Sequence, residues 1–285
     1  MKKILIALMA ATVVAGAFAF DRNGFNPAGK LSTYTKTDYN IVSKFGSTYR
    51  SVAVKYVHDF NAAGVETACT GFNSKNAQVD KITYEYNDRN NLVSSTFYDG
   101  QNTMIWKTTL EYDTSNRLTA ESEFDKDNRL SGKTIYEYND KDVAKGKESK
   151  IVESYYDGNG KLLSRSITTM NAAGKPAELA RYYGDGSLDQ REIYSYNDYG
   201  VLSQIEYIEP DGKTKTKLVY RYDAGKGYLT EIDTYNANSV LYQREIYKND
   251  GKGNPTSVSV YSVSEKFGGT VNELQKQSAY TYTYN

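Results

Sequence analysis

One seven-residue phrase recurs along most of this chain: an aromatic residue, Asn or Asp, two unconstrained positions, Gly or Asn, one unconstrained position and Leu. Tyr156-Asp157-Gly158-Asn159-Gly160-Lys161-Leu162 carries it in full, and the stretches from Tyr112 to Leu118 and from Tyr196 to Leu202 repeat it closely. A short phrase returning at a fixed step means one small structural unit laid down many times. With the aromatic or its substitute as first residue, the phrase falls at Phe25, Phe60, Phe72, Tyr86, Tyr98, Tyr112, Phe124, Tyr138, Tyr156, Met170, Tyr183, Tyr196, Ile208, Tyr222, Tyr235 and Tyr247. From Phe60 onward the step is mostly 12 or 14 residues, and two steps make a unit of about 26, as expected of a hairpin repeat.

The fifth position is the diagnostic one. It reads Gly29, Gly64, Asn76, Asn90, Asn102, Asn116, Asn128, Gly160, Gly174, Gly200, Gly212 and Gly251, with Asp142, Ser187, Lys226 and Ser239 as exceptions. Gly and Asn tolerate a left-handed backbone, which a hairpin loop closed by a bulge residue requires at that place. Asn or Asp at the second position suits turn entry. Runs such as Leu118–Phe124 and Leu229–Tyr235 have the length and β-branched or aromatic content of short strands. Even spacing puts each leading Leu and trailing aromatic on one strand face, so an aromatic–Leu ridge is expected along both rims of a meandering sheet. Tyr112 with Leu118, Phe124 with Leu130 and Tyr156 with Leu162 are expected cross-strand pairs. Equal steps back from the turns pair Ile193 with Ile205 and Phe97 with Ile105. The same counting sets Trp106 against Thr96, Glu121 against Lys133, Glu153 against Arg165, Glu192 against Glu206 and Glu231 against Glu245. No helix of convincing period occurs in the mature chain, so the class is all-β: an array of short antiparallel β-hairpins, meandering or spiralling.

Residues 1–19 read as a signal peptide, with Lys2 and Lys3, an apolar run from Ile4 to Val14 and the small-x-small signal Ala17-Phe18-Ala19. The mature chain would start at Phe20 and be periplasmic or extracellular, without a lipid anchor, since no cysteine lies near the cleavage point. Residues 20–59 keep the phrase once and read as an N-terminal capping segment, 60–261 as the array, and 262–285 as an irregular loop followed by a terminal strand that seals an edge. The lone Cys69 excludes an internal disulfide and a cluster of thiols around a metal, and the single His58 excludes a multi-histidine site. No cofactor is expected. With 35 basic and 35 acidic residues there is no net field to draw nucleic acid. The apolar run is too short to span a bilayer, so no stable membrane span is expected in the mature chain. The 28 tyrosines, against one tryptophan and nine phenylalanines, point to β-structure with much half-exposed aromatic surface.

The segments Tyr156-Asp157 to Leu162, Tyr112-Asp113 to Leu118 and, with one inserted residue, Tyr222-Asp223 to Leu229 resemble the YD repeat of the rearrangement-hot-spot and teneurin type proteins. The likeness extends over most of residues 60–260. It implies β-hairpins wound into a spiral, which in large members forms a shell around a toxin domain or an adhesive extracellular surface. This chain is too short for such a shell, and substitutes such as Phe25, Met170 and Ile208 depart from the tyrosine rule.

Three readings of function follow. The first is a secreted or periplasmic, non-enzymatic repeat protein presenting a tyrosine-rich sheet surface, including Trp106, Tyr194 and Tyr220, to a glycan or an envelope protein. The second is an outer-membrane β-barrel, invited by export, alternating strands and the terminal Tyr280/Tyr282/Tyr284; strands of six to nine residues and charges on both faces (Arg191, Glu192, Arg221, Glu231) weigh against it. The third is a glycan-active enzyme using the pairs Glu192/Glu206 and Glu231/Glu245. Like charges directly opposed on a sheet cost stability, so those pairs would need a reason. His58 beside Asp59 is no relay, because adjacent strand residues point to opposite faces.

Overall fold

From Phe60 on, every phrase except that at Tyr138 folds as a tight turn in the computed structural model, which describes residues 20, 21, 24, 25, 27–45, 47–266 and 268–285. The signal-peptide reading of residues 1–19 lies outside the described residues. After Tyr156, the Asp157 amide donates to the Lys161 carbonyl at 2.9 Å and the Gly160 amide to the Asp157 carbonyl at 3.0 Å. The Asp157 carboxylate accepts from the amides of Asn159 and Lys161, both at 2.9 Å, so the second residue of the phrase caps its own turn. Gly160 has φ +82°, and Asn76, Asn90, Asn102, Asn116 and Asn128 take the same place with φ between 58° and 66°. Ser239 adopts it too, at φ 59°.

Three placements shift. The left-handed residue is Gly186 rather than Ser187, which makes Tyr182 the aromatic of that turn, and Gly253 rather than Gly251, which puts Asn249 in the aromatic's place. At Tyr222 the inserted residue moves the left-handed position from Lys226 to Gly227.

The strands are β1 (Phe20–Asp21) and β2 (Gly24–Phe25), a separate hairpin, and then eighteen more. First come β3 (Leu31–Lys44), β4 (Ser47–Phe60), β5 (Glu66–Asn73), β6 (Gln78–Tyr86), β7 (Leu92–Asp99) and β8 (Met104–Tyr112). Next are β9 (Leu118–Asp125), β10 (Leu130–Tyr138), β11 (Lys150–Asp157), β12 (Leu162–Met170), β13 (Pro176–Tyr183) and β14 (Leu188–Tyr196). Last are β15 (Leu202–Ile208), β16 (Thr214–Tyr222), β17 (Leu229–Asn236), β18 (Leu241–Asn249), β19 (Pro255–Lys266) and β20 (Gly269–Tyr284). One helical turn, α1 (Asp140–Val143), sits in the β10–β11 connection. From β3 on, each strand pairs antiparallel with the next, and β20 pairs with β3, closing an 18-stranded barrel. Closure removes every free edge of the sheet. Residues read as a cap or as an irregular loop are therefore wall: β3, β4, β19 and β20 carry the closing seam, with Tyr282 opposite Tyr34.

The predicted aromatic–Leu pairs form, but the residue after each Leu is an extra one. Tyr112 opposes Leu118, yet Glu111 opposes Ala120, leaving Thr119 as the bulge. A two-against-one bulge shifts every pair beyond it by one residue. Phe97 consequently opposes Trp106 rather than Ile105, and Ile193 opposes Glu206 rather than Ile205. Glu121 meets Thr134, and Glu153 meets Ser166, so the compensating Lys133 and Arg165 lie on the other face. The bulge also moves the aromatics at the two rims onto opposite faces, so the single ridge expected from even spacing does not exist.

The rim holding Leu31, Tyr284 and the β6–β7 and β8–β9 turns is here called proximal, the other distal. One face carries most of the large buried side chains of the strand interiors: Tyr34, Leu110, Leu179, Tyr194, Ile205, Tyr247, Val258 and Tyr280. Buried residues of the opposite face are mostly small, among them Ser94, Ala120, Ser122, Ser154 and Ala180. A concave wall crowds long side chains together and a convex one spreads them, which makes the first face the lumen side. Eighteen tilted strands at the usual spacing enclose a wall roughly 35 Å across, wide enough for an aqueous lumen.

Candidate functional site

The inward face is aromatic and acidic. Leu179, Tyr194 and Ile205 form one buried cluster against Tyr196, Tyr207 and Tyr220; Leu229, Tyr247, Val258 and Tyr280 form a second against Tyr222 and Tyr282. Burial pushes the hydroxyls of Tyr34, Tyr84, Tyr136, Tyr220, Tyr247 and Tyr280 well above their ordinary value. At the proximal rim the tyrosines bond to backbone at the bulges. Tyr112 donates to the Leu92 carbonyl at 2.8 Å, Tyr138 to Leu118 at 2.9 Å, Tyr196 to Pro176 at 2.7 Å and Tyr222 to Leu202 at 2.7 Å.

From β6 to β12 the inward strand positions hold Asp80, Glu121, Glu123 and Glu153, with Asp99, Asp125 and Asp157 toward the distal rim, and no Lys or Arg. Glu121 is 8% exposed and accepts a long hydrogen bond from the Tyr136 hydroxyl at 3.4 Å. Burial, reinforced by the charge of Glu123, pushes its carboxyl up to about 7, while the Tyr136 bond acts in the opposite sense. Tyr155 on β11 lies across Gly132 on β10 and reaches Glu123 on β9 at 3.5 Å; a Cβ at Gly132 would sit 2.5 Å from that hydroxyl oxygen. Gly71 on β5 repeats the device, lying between Tyr56 on β4 and Asp80 on β6. Trp106 stacks on Phe97 with ring centroids 5.5 Å apart, next to Asp125.

The outward face carries the opposite charge at its distal end. Lys55, Lys81, Lys107, Lys133, Arg165, Arg191, Lys217 and Arg244 each oppose an aromatic or Ile of the next strand: Phe72, Tyr98, Phe124, Tyr156, Tyr182, Ile208, Tyr235 and Tyr261. The Lys55 ammonium lies 5.1 Å from the Phe72 ring centre and that of Lys217 5.2 Å from Tyr235. Toward the proximal end of the same face stand the exposed Glu85, Glu111 and Glu137. Asp233, 1% exposed, is held by Arg244 at 2.7 Å and Arg221 at 3.3 Å; burial works against its charge, yet the two guanidiniums keep its carboxyl below the ordinary range.

The residues singled out in the sequence divide between these faces. Trp106, Tyr194, Tyr220, Glu192 and Glu245 face the lumen; Glu206 and Glu231 face outward. Glu192 opposes Tyr207 and Glu245 opposes Ile232, so neither opposed Glu pair exists, and the paired-carboxylate enzyme loses its geometry. Glu192 is bound by Arg181 at 2.9 Å and by the Tyr194 hydroxyl at 2.5 Å; Glu245 accepts from Tyr247 at 2.8 Å. Glu206 accepts from Gln204 at 2.7 Å, and Glu231 pairs with Arg221 at 3.1 Å. The acidic sector on β9–β11 and the basic girdle escaped sequence reasoning. The signal available for the girdle was Lys81, Lys107 and Lys133 at one 26-residue step, with Glu85, Glu111 and Glu137 in phase.

No protein-family model matches the chain, and no curated protein matches it significantly. Among solved structures, a porin-like protein from Bacteroides uniformis ATCC 8492 overlays with TM-score 0.47 at 12% identity, covering 90% of this chain and 99% of the other. A porin-like protein from Bacteroides vulgatus ATCC 8482 gives TM-score 0.31 at 10% identity, with the same coverage. A TcdB2-TccC3 structure gives TM-score 0.21 at 10% identity over 83% of this chain and 16% of that one. Overlays this loose assign no function.

Proposed function

We propose that the chain is an exported β-barrel of the cell envelope whose acidic, tyrosine-lined lumen takes positively charged solutes. The observation that carries this is the inward face of β6–β12, where Glu121, Glu123 and Glu153 stand among Trp106, Tyr136 and Tyr155 without a basic residue. Carboxylates in a confined, low-dielectric wall focus the field on cations, and aromatic faces add cation–π contact. A flat tyrosine surface offered to a glycan or an envelope partner fits less well, since closure turns Trp106, Tyr194 and Tyr220 inward. Trp106 fluorescence should respond to spermine at low ionic strength, weaken with added salt, and cease to respond in a Glu121→Gln/Glu123→Gln/Glu153→Gln variant. An equal response to neutral oligosaccharides, or none to spermine, would overturn the reading.

A second reading, insertion in the outer membrane, is favoured by two observations. Closure satisfies every strand edge, as hydrocarbon demands, and the distal girdle of paired Lys or Arg and aromatics has the composition of a membrane interface. Against full insertion stands the height of the wall: on β10 the outward Lys133 and Glu137 are four residues apart, roughly 13 Å along the strand, where a membrane barrel needs an apolar band about 25 Å tall. We therefore favour a barrel that stands in water and meets an anionic envelope surface with its distal girdle. Flotation of the mature chain with anionic vesicles separates the two: release by high salt supports surface docking, and release by detergent alone supports insertion.

A further inference from the structure

The chain's single histidine and single cysteine, the residues that from sequence excluded metal clusters, come together on the lumen side of β4 and β5. His58 and Cys69 are directly opposed in the ladder, with Sγ 3.6 Å from the imidazole Nε2. Glu66, at the start of β5, places a carboxylate oxygen 2.7 Å from the other ring nitrogen, Nδ1. One donor atom from each of the three residues lies within 4.8 Å of the other two. Tyr34, 5% exposed, stacks on the imidazole with centroids 4.0 Å apart and planes inclined by 12°, which limits how far the ring can turn.

We propose that His58, Glu66 and Cys69 bind a borderline-soft divalent ion such as zinc, with the fourth position open to the lumen. A tetrahedral ion about 2.3 Å from sulfur and about 2.0–2.1 Å from nitrogen needs these two donors roughly 3.5 Å apart, which the Sγ–Nε2 separation already meets. Thiolate, imidazole and carboxylate together suit zinc and exclude magnesium and calcium, which take oxygen shells. The donors stand on paired strands rather than on a mobile loop, so little ordering is left for binding to supply. A thiol and a carboxyl lie beside one imidazole here, and a divalent cation would neutralise the Cys69 thiolate and the Glu66 carboxylate together. Lys36, the basic group near the thiol, is already paired with Asp38 at 3.2 Å. With the ion between Nε2 and Sγ, Glu66 on Nδ1 orients the ring from its other side, and it becomes the third ligand by leaving that nitrogen.

Cobalt(II) tests the site, because a thiolate ligand produces a charge-transfer band in the near ultraviolet and tetrahedral coordination an intense visible one. The mature protein should take one cobalt ion per chain with both bands, and zinc should displace it. Cys69→Ser should abolish the thiolate band, and Glu66→Gln should weaken zinc binding by about 10- to 100-fold. Should these variants fail to fold, the unaltered chain still decides: zinc should slow alkylation of Cys69, and a chelator should restore it. Absence of a thiolate band at excess cobalt, together with alkylation indifferent to zinc, would overturn the proposal.

Discussion

Replacing Gly132 by alanine measures how tightly the inner wall is packed. A Cβ there falls 2.5 Å from the Tyr155 hydroxyl oxygen and 2.9 Å from ring carbons Cε2 and Cζ. Ordinary contacts lie near 3.5–4.0 Å, so the ring must lift by about 1 Å and abandon Glu123. Overpacking of this kind costs about 1–3 kcal/mol. Removing glycine's excess freedom in the unfolded chain returns about 0.5–1 kcal/mol, leaving a net loss of about 1–2 kcal/mol. In a Tyr155→Ala background the obstacle is gone, and the same substitution should stabilise by about 0.5–1 kcal/mol. The four proteins of this cycle, unfolded in urea and followed by far-ultraviolet circular dichroism, should show the sign of Gly132→Ala reverse at unchanged denaturant slope. If Gly132→Ala has the same sign in both backgrounds, Tyr155 does not lie across β10 and the account of the acidic sector fails with it.

Glu121 gives a pH signature. Its folded carboxyl titrates near 7 against 4.5 when unperturbed, so between those values the unfolded chain gives up its proton first and stability falls as pH rises, by up to about 3 kcal/mol, and then levels; Glu121→Gln should flatten that window in unfolding curves taken across it. Gly186→Ala should cost about 1–2 kcal/mol because φ there is +87°, whereas Ser187→Ala next to it should change the unfolding midpoint little. Tyr112→Phe should cost about 1 kcal/mol by orphaning the Leu92 carbonyl, and Tyr98→Phe on the outer face should stay within about 0.5 kcal/mol.

The turns were legible in the sequence because their chemistry is local. Asp157 capping its own loop and Gly160 taking a left-handed backbone involve five consecutive residues, and no distant contact can change that preference. Pairing was legible at the aromatic–Leu position and failed one residue further on. The bulge residue is Ser or Thr at several hairpins, as at Thr119, Ser131, Ser203 and Thr230, whose hydroxyls bond a carbonyl of the partner strand. Ser and Thr are also ordinary strand residues, so that mark went unread. That single offset moved Glu206 and Glu231 to the outer face and dissolved the Glu192/Glu206 and Glu231/Glu245 pairs. Closure was less accessible still. It depends on β20 meeting β3, partners at opposite ends of the chain, and no repeat phrase encodes that pairing. The His58–Glu66–Cys69 cluster was hidden for the same reason: it is visible only once β4 and β5 are set in register.

The tyrosine count acquires a different meaning in the barrel. From composition it signalled a sticky surface, yet the inward tyrosines of the proximal rim act as hydrogen-bond donors to carbonyls at the bulges. One substitution at that rim keeps the bond: Asn249 donates its side-chain amide to the Leu229 carbonyl at 2.7 Å. Phe60 and Met170, at the same rim, carry no donor and do without it. On the outer distal face, where the ring covers the stem of a Lys or Arg and needs no hydroxyl, phenylalanine appears at Phe72 and Phe124 and isoleucine at Ile208. One repeated aromatic position thus serves two separate purposes, at most hairpins a polar donor at one rim and an apolar cover at the other. The bulge, by changing the face at each turn, decides which purpose applies. The same alternation sorts the charges, so a chain of zero net charge presents basic groups outside its distal rim and carboxylates within.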